Sequence, residues 1–117
     1  MKSLPIPETE QLNALANGSL YQLVSEYVEK PSPALKQYLT INRQALVDFL
    51  LKNPGKAEAY FQRQEQVQTT HDVERMWEEN GEYIVASMDH GNARSVRRFK
   101  SLADAVAEHV LVSYGMY

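Results

Sequence analysis

Residues 73–88 read VERMWEENGEYIVASM, two runs of alternating side chains that meet at Asn80-Gly81. Asn-Gly is the preferred two-residue loop of a β-hairpin, because both of its central positions require a positive φ. The sequence therefore predicts a hairpin with strands over 73–79 and 82–88, in which Trp77 lies opposite Ile84. Because side chains alternate between the two sides of a sheet, this register also predicts which of them share a face.

One face of the hairpin is more apolar than the other. It carries Val73, Trp77, Ile84, Ala86 and Met88. The opposite face carries Glu74, Met76, Glu78, Tyr83, Val85 and Ser87. Because burial of apolar area drives folding, we expect the first face to pack on the core. The apolar side chains of the second face leave open whether helices or another subunit cover it.

A third strand is predicted over 93–99, after a turn at 89–92. Its register stays open, because His90-Gly91 and Gly91-Asn92 are both workable loops. Ser101, with Asp104 three residues later, predicts the N-terminus of a last helix, which Gly115 ends. This half of the chain therefore has the order β-β-β-α.

The first half of the chain has helical periodicity. We predict one helix from near Glu8 to Asn17-Gly18 and a second, with a capping box over Ser19–Gln22, that stops at Lys30-Pro31. A third runs from Ser32-Pro33 to Asn53-Pro54-Gly55, either continuous or broken near 40–42, and a fourth covers 56–68. Together, the three or four helices, the three-stranded antiparallel meander and the C-terminal helix predict one α+β domain over 1–117. It divides into an extended leader (1–7), a helical part (8–70) and a β-β-β-α part (71–117).

The composition limits the class of protein. The 117 residues include no cysteine and carry a formal net charge of −3. No window approaches the ~20 apolar residues of a membrane span, and the first residues do not form a signal peptide. We therefore expect a cytoplasmic protein without a membrane partner. The charge does not favour nucleic acid for the domain as a whole.

The basic strand 94–100, RSVRRFK, is the strongest candidate for function. Alternation predicts Arg94, Val96 and Arg98 on one face and Ser95, Arg97 and Phe99 on the other. A positive strand can follow phosphates, and arginine can read guanine edges. The β-β-β-α order resembles the small sheet modules at the start of tyrosine-type integrases, at the level of the fold alone. The same charges also suit a sheet edge, where they deter pairing with another sheet.

No pattern in the sequence predicts catalysis. The three histidines lack metal-ligand spacing, and the chain contains no nucleophile motif and no phosphate-binding loop. An enzyme would need a pocket that gathers residues such as His71, His90 and Asp89. We therefore predict no catalytic residues, no metal and no cofactor.

The predicted function is binding to a protein partner or to a second copy, as a bacterial-type regulator, immunity-type protein or adaptor. The predicted contacts are Arg94, Arg97 and Arg98 on one edge and Glu74, Glu78 and Glu79 on the other, with Tyr117 or Met76 as an apolar anchor. Charges steer association, whereas apolar anchors supply affinity. The alternative is a nucleic-acid-binding protein that uses the basic strand Arg94–Lys100.

Overall fold

The computed structural model describes residues 1–66 and 73–116. Within them the chain forms helices, then a three-stranded antiparallel sheet, then a final helix, which confirms the predicted α+β fold. The first half contains α1 (Glu8–Asn17), α2 (Leu20–Ser25), a 3-10 helix (Leu35–Tyr38), α3 (Arg43–Lys52) and α4 (Pro54–Glu65). The second half contains β1 (Glu74–Glu79), β2 (Glu82–Asp89), β3 (Asn92–Phe99) and α5 (Leu102–Ser113).

The turn between α1 and α2 is the one that the sequence predicts. Gly18 adopts the left-handed conformation, with φ of 72°, which glycine accepts without steric cost. Ser19 occupies the N-cap of α2, but its side chain makes no capping hydrogen bond. That half of the predicted capping box is therefore absent.

Helix α2 ends at Ser25, before the predicted stop at Lys30. The chain tightens there, because the amides of Tyr27 and Val28 both donate to the carbonyl of Val24. The buried Tyr27 ring then packs against the core. The helix therefore ends earlier than its apolar periodicity predicts, while Tyr27 is still buried.

The long third helix of the prediction is divided at the predicted break. Asn42 is the N-cap of α3, and its Oδ1 accepts a hydrogen bond from the Ala45 amide at 2.8 Å. The segment before the break forms only a short 3-10 helix, whose N-cap is Ala34 and not Ser32 as predicted. Asparagine favours this cap because its side chain satisfies an amide that has no partner within the helix.

The boundary between α3 and α4 is sharper than predicted. α3 ends at Lys52, and α4 begins at Pro54 rather than at Lys56. Proline suits the first helical position, because the amide that it lacks would have no partner there. The end of the predicted fourth helix, residues 67–68, lies outside the described residues.

Both loops of the meander are two-residue turns with positive φ. Asn80 and Gly81 have φ of 52° and 81°, and they join β1 to β2 as predicted. His90 and Gly91 have φ of 50° and 83°, and they join β2 to β3. Of the two loops that the sequence left open, the structure uses His90-Gly91.

The helices cover the opposite face of the sheet from the one predicted. α4 and α5 contact the sheet, and Met76 and Val85 belong to the same buried apolar cluster as the helices. We call this side the inner face. The side without these helices is the outer face, which carries Arg75, Trp77, Glu79, Glu82, Ile84, Ala86, Met88 and Arg98, with Val96 two positions before Arg98 on β3 and Val73 just before β1. The pairing of Trp77 with Ile84 is confirmed, but the prediction that this face packs on the core is wrong.

The choice of face follows from the polar groups of α5. Its Glu108 accepts a hydrogen bond from Arg97, and its His109 lies within hydrogen-bonding distance of the Glu74 carbonyl. Polar groups of the inner face, the Arg97 guanidinium and the Glu74 carbonyl, therefore have hydrogen-bond partners on α5. Counting apolar side chains on each face does not detect such partners.

Helix α5 starts at the predicted cap and lies deep in the protein. Ser101 Oγ accepts a hydrogen bond from the Asp104 amide at 3.4 Å. The apolar side chains that α5 buries are Ala103, Ala105, Val106, Ala107, Val110 and Leu111. No helix in the described part of the chain is both long and apolar enough to cross a membrane.

Candidate interaction surface

The outer face presents rows of side chains across β1, β2 and β3. Trp77, Ile84 and Arg98 stand side by side in one row. Arg75 pairs with Ala86 in the neighbouring row. The centre of this surface is therefore apolar, with a guanidinium group on the β1 side and another on the β3 side.

The apolar side chains of the outer face differ in exposure. Ile84 and Ala86 are fully buried, although neither belongs to the apolar cluster under the helices. They stand on the central strand, where side chains from both neighbouring strands flank them. Val73 and Val96 remain open, with 39% and 48% of their surface exposed. The exposed apolar side chains therefore lie at the margins of a centre that is already buried.

Arg75 and Trp77 are in contact with each other on this surface. The Arg75 guanidinium lies over the indole ring, 5.9 Å from its centroid. Trp77 Nε1 donates a hydrogen bond to Glu79 Oε2 at 3.1 Å, which restrains the ring. Arg75 Nε is buried and has no hydrogen-bond partner among the described residues. The surface thus combines a fixed aromatic ring with a donor whose capacity is unused.

Arg97 and Glu74, two of the predicted contact residues, are bound to each other on the inner face. Arg97 Nη2 lies 3.3 Å from Glu74 Oε2, and Arg97 Nε donates to Glu108 Oε2 at 3.0 Å. Glu108 is only 3% exposed, and it also accepts from Arg43 Nη2 at 2.7 Å. These ion pairs connect α3, β1, β3 and α5, so both predicted contact residues contribute to the fold.

Arg94 and Arg98 lie on opposite faces, so the prediction that they share one is wrong. Arg98 belongs to the outer face, whereas Arg94 pairs with Ser87 on the inner face. The register shifts between them because β3 contains an extra residue, and Ser95 adopts a φ of 51° in this bulge. Arg94 is 69% exposed, and its Nε lies 2.8 Å from Asp89 Oδ2.

The remaining predicted contacts fall in different places. Glu78 and Glu79 are both exposed near the Asn80-Gly81 loop, and Glu79 lies on the outer face. Met76 is 1% exposed in the core, so it does not provide the predicted anchor for a partner. Tyr117, the other predicted anchor, lies outside the described residues.

Sequence reasoning missed a buried hydrogen bond between His109 and Tyr60. His109 Nδ1 lies 2.6 Å from the Tyr60 hydroxyl, and Nε2 lies 3.1 Å from the Glu74 carbonyl. A carbonyl only accepts, so Nε2 carries the proton and Nδ1 accepts from Tyr60. Burial lowers the pKa of His109 and raises the pKa of Tyr60, so both groups are neutral near pH 7. No local pattern joins these residues, since they come from α4 and α5.

The histidines do not form a reaction centre in the described part of the chain. His90 lies in an exposed turn, with Nε2 3.5 Å from Asp89 Oδ1. Asp89 is also paired with Arg94, and His71 lies outside the described residues. The described residues contain no group of three or more side chains that could hold a metal ion.

A cavity of about 580 Å³ lies where α4 and α5 meet the end of β1. Its lining includes Glu74, Ser87 and Ser113. The Glu74 carboxylate is already occupied, because Oε1 accepts from Ser87 at 2.6 Å and Oε2 pairs with Arg97. The Glu74 carboxylate of the cavity therefore has partners within the protein, whereas Arg75 Nε on the outer face has no hydrogen-bond partner among the described residues.

Comparison with known proteins gives no information about the function of this chain. No protein-family model, curated protein or solved structure matches the chain. Function is therefore inferred from the surface itself, and the outer face is the candidate site.

Proposed function

We propose that this protein functions by binding another protein through its outer face. The observation that carries the proposal is the exposed apolar Val96, which lies two positions before Arg98 on β3 and so on the same face as the partly exposed Trp77 and two arginines. Tryptophan and arginine are enriched among the residues that dominate binding energy at interfaces. Placed on paired strands, these side chains are held in position before a partner arrives, which lowers the entropy cost of binding.

The proposed role is that of a regulator, an immunity-type protein or an adaptor in the bacterial cytoplasm, without catalysis. The absence of cysteine fits a reducing compartment. A partner of either kind, a different protein or a second copy, would cover apolar surface that the described helices leave open. Covering such surface is the main source of favourable free energy in protein association.

The contacts of the basic strand support protein binding over nucleic-acid binding. Arg94 and Arg97 each form ion pairs inside the chain, which leaves Arg98 and Lys100 as the exposed cations of this strand that have no carboxylate partner among the described residues. Nucleic-acid affinity depends on several cations that neutralise phosphates together. A net charge of −3 also disfavours a polyanion.

Site-specific photo-crosslinking tests the proposed function. A benzoylphenylalanine placed at Val96 samples the outer face, whereas one placed at Leu51 samples α3. Both positions are exposed and apolar, 48% for Val96 and 60% for Leu51, so the pair is matched. The full chain is irradiated in the cells from which it comes, and adducts are identified by mass spectrometry. We expect a defined protein adduct from position 96 and none from position 51.

A second variant distinguishes specific crosslinking at the outer face from non-specific crosslinking. Trp77→Ala, combined with the crosslinker at position 96, should reduce the yield of the adduct, because it removes the aromatic contact. Circular dichroism checks that this variant is folded. Equal adducts from positions 96 and 51, or no adduct from position 96, would contradict the outer face as the binding site.

A further inference from the structure

We propose that the occupant of the outer face is an extended acidic segment of the partner, in which two carboxylates flank one apolar side chain. The carboxylates would bind Arg75 and Arg98, and the apolar side chain would contact Trp77 and Val96. This inference rests on the proposed function and adds the chemistry of the partner. Charge, hydrogen bonding, area and spacing each support it.

The distribution of ion pairs separates the two faces of the sheet. On the inner face, Arg94 and Arg97 each have a carboxylate partner. On the outer face, neither Arg75 nor Arg98 forms an ion pair with any described residue. Two guanidinium groups on this face thus form no ion pair with a described residue, although Glu79 and Glu82 lie at the hairpin end of the same face. Such a surface is electrostatically complementary to a partner that carries carboxylates.

Arg75 also lacks a hydrogen bond that it could make. Its Nε is buried without an acceptor among the described residues, although the guanidinium is held over Trp77. A carboxylate accepts from arginine in a planar, two-point arrangement. A carboxylate of the partner would supply an acceptor for this guanidinium.

The area of the outer face favours a segment over a second copy of the chain. Ile84 and Ala86 at the centre of this face are already fully buried, so little apolar area remains open there. A stable dimer buries about 800 Å² on each partner. A short acidic segment that binds two arginines requires much less area than a second copy.

The register defines the spacing of the acidic groups. Arg75 stands on β1 and Arg98 on β3, one row apart, so their Cα atoms are about 12 Å from each other. In an extended segment, residues four positions apart lie about 13 Å apart on the same side, with one residue of that side between them. The pattern that fits is therefore acid-x-apolar-x-acid.

Two carboxylates at the hairpin end orient the segment. Glu79 and Glu82 pair with each other in register and lie on the outer face beside the row of Trp77. They would repel an acidic segment that extended towards the Asn80-Gly81 loop. The segment is therefore expected to cross the sheet diagonally, between Arg75 and Arg98, away from this end.

A displayed library of random peptides tests the inference. The library is selected on the immobilised full chain, and enriched peptides are measured in solution by fluorescence anisotropy. We expect enrichment of acid-x-apolar-x-acid peptides. Arg98→Glu should weaken their binding about tenfold or more, because it opposes a carboxylate at the contact. The matched control Arg94→Glu, with the same charge change on the same strand but the other face, should weaken it less than about threefold.

Each other outcome overturns a defined part of the proposal. Peptides that depend on Trp77 but are not acidic would overturn the acidic segment and leave the proposed function intact. If Arg98→Glu and Arg94→Glu weaken the binding of acidic peptides equally, the attraction depends on overall charge, and the inference is overturned. If no peptide is enriched, no short segment binds, and the inference is overturned as well. A fluorescent single-stranded DNA that binds more tightly than the peptides, or a dimer by light scattering that requires Trp77, would replace the acidic segment with that occupant. Failure of the crosslink at position 96 would remove the proposed function itself.

Discussion

Arg97 Nε lies 3.0 Å from Glu108 Oε2, and this carboxylate is 3% exposed. The same carboxylate receives Arg43 from α3 through its other oxygen. Arg97 in turn reaches Glu74 on β1. One buried acid on α5 therefore connects the helical half of the chain to both edge strands of the sheet.

Removing Glu108 should destabilise the fold. Glu108→Ala leaves Arg97, which is 24% exposed, without its main carboxylate partner. Losing one member of a buried pair costs about 3–5 kcal/mol, and partial hydration of both arginines reduces this here to about 2–3 kcal/mol. Urea denaturation measures the change. The exposed Glu78→Ala serves as control and should stay within about 0.5 kcal/mol of the parent; equal effects of the two variants would refute a structural role for the network.

The same network shows where sequence reasoning stops. Local patterns predicted the Asn80-Gly81 hairpin, the Ser101 cap and the break before α3, because each depends on residues close together in the chain. Partners from distant elements, such as Arg43 for Glu108, leave no local pattern. The face of the sheet that packs on the core depends on such partners, so its prediction failed.

The β3 register illustrates the same limit at one residue. Alternation predicts the faces of a strand only while the ladder is regular. Ser95 adopts a positive φ without being glycine, so nothing in its type predicts the bulge. One extra residue moves Arg94 to the inner face, so only Arg98 remains of the two arginines that were predicted to share a face.

His109 should make stability depend on pH. Burial lowers its pKa below the usual 6.5, so below that value the unfolded chain binds a proton that the native state excludes. The free energy of unfolding is therefore expected to fall as pH decreases through and below 6.5, with a slope of up to about 1.4 kcal/mol per pH unit, until the native pKa is reached.

Urea denaturation at about pH 7.5 and about pH 5.5 measures this dependence. The glutamine at position 109 of His109→Gln does not titrate, so the stability of this variant should change less between the two conditions. The comparison also removes the background from carboxylates, which both proteins share. A parent and a variant with the same pH dependence would mean that His109 does not exclude its proton.

Glycine should matter at position 81 and not at position 55. Gly81 has a φ of 81°, a conformation that costs an L-residue about 1–2 kcal/mol, so Gly81→Ala should lower the free energy of unfolding by that amount. Gly55 has open space around it and lies in the first turn of α4. Gly55→Ala should be neutral or stabilising by up to about 1 kcal/mol. Thermal melts of the two variants compare them, and similar losses in both would contradict the hairpin geometry.

Trp77 should report directly on the outer face, since it is the single tryptophan of the chain. If the ring packed on the core, as the apolar pattern predicts, acrylamide would hardly quench its fluorescence. On the outer face the ring is partly exposed, so native protein should show clear quenching that increases on unfolding. Arg75→Ala should raise native quenching, because the guanidinium lies over the ring. Arg94→Ala, on the other face, should leave it unchanged, and equal responses from both variants would contradict the assignment of faces.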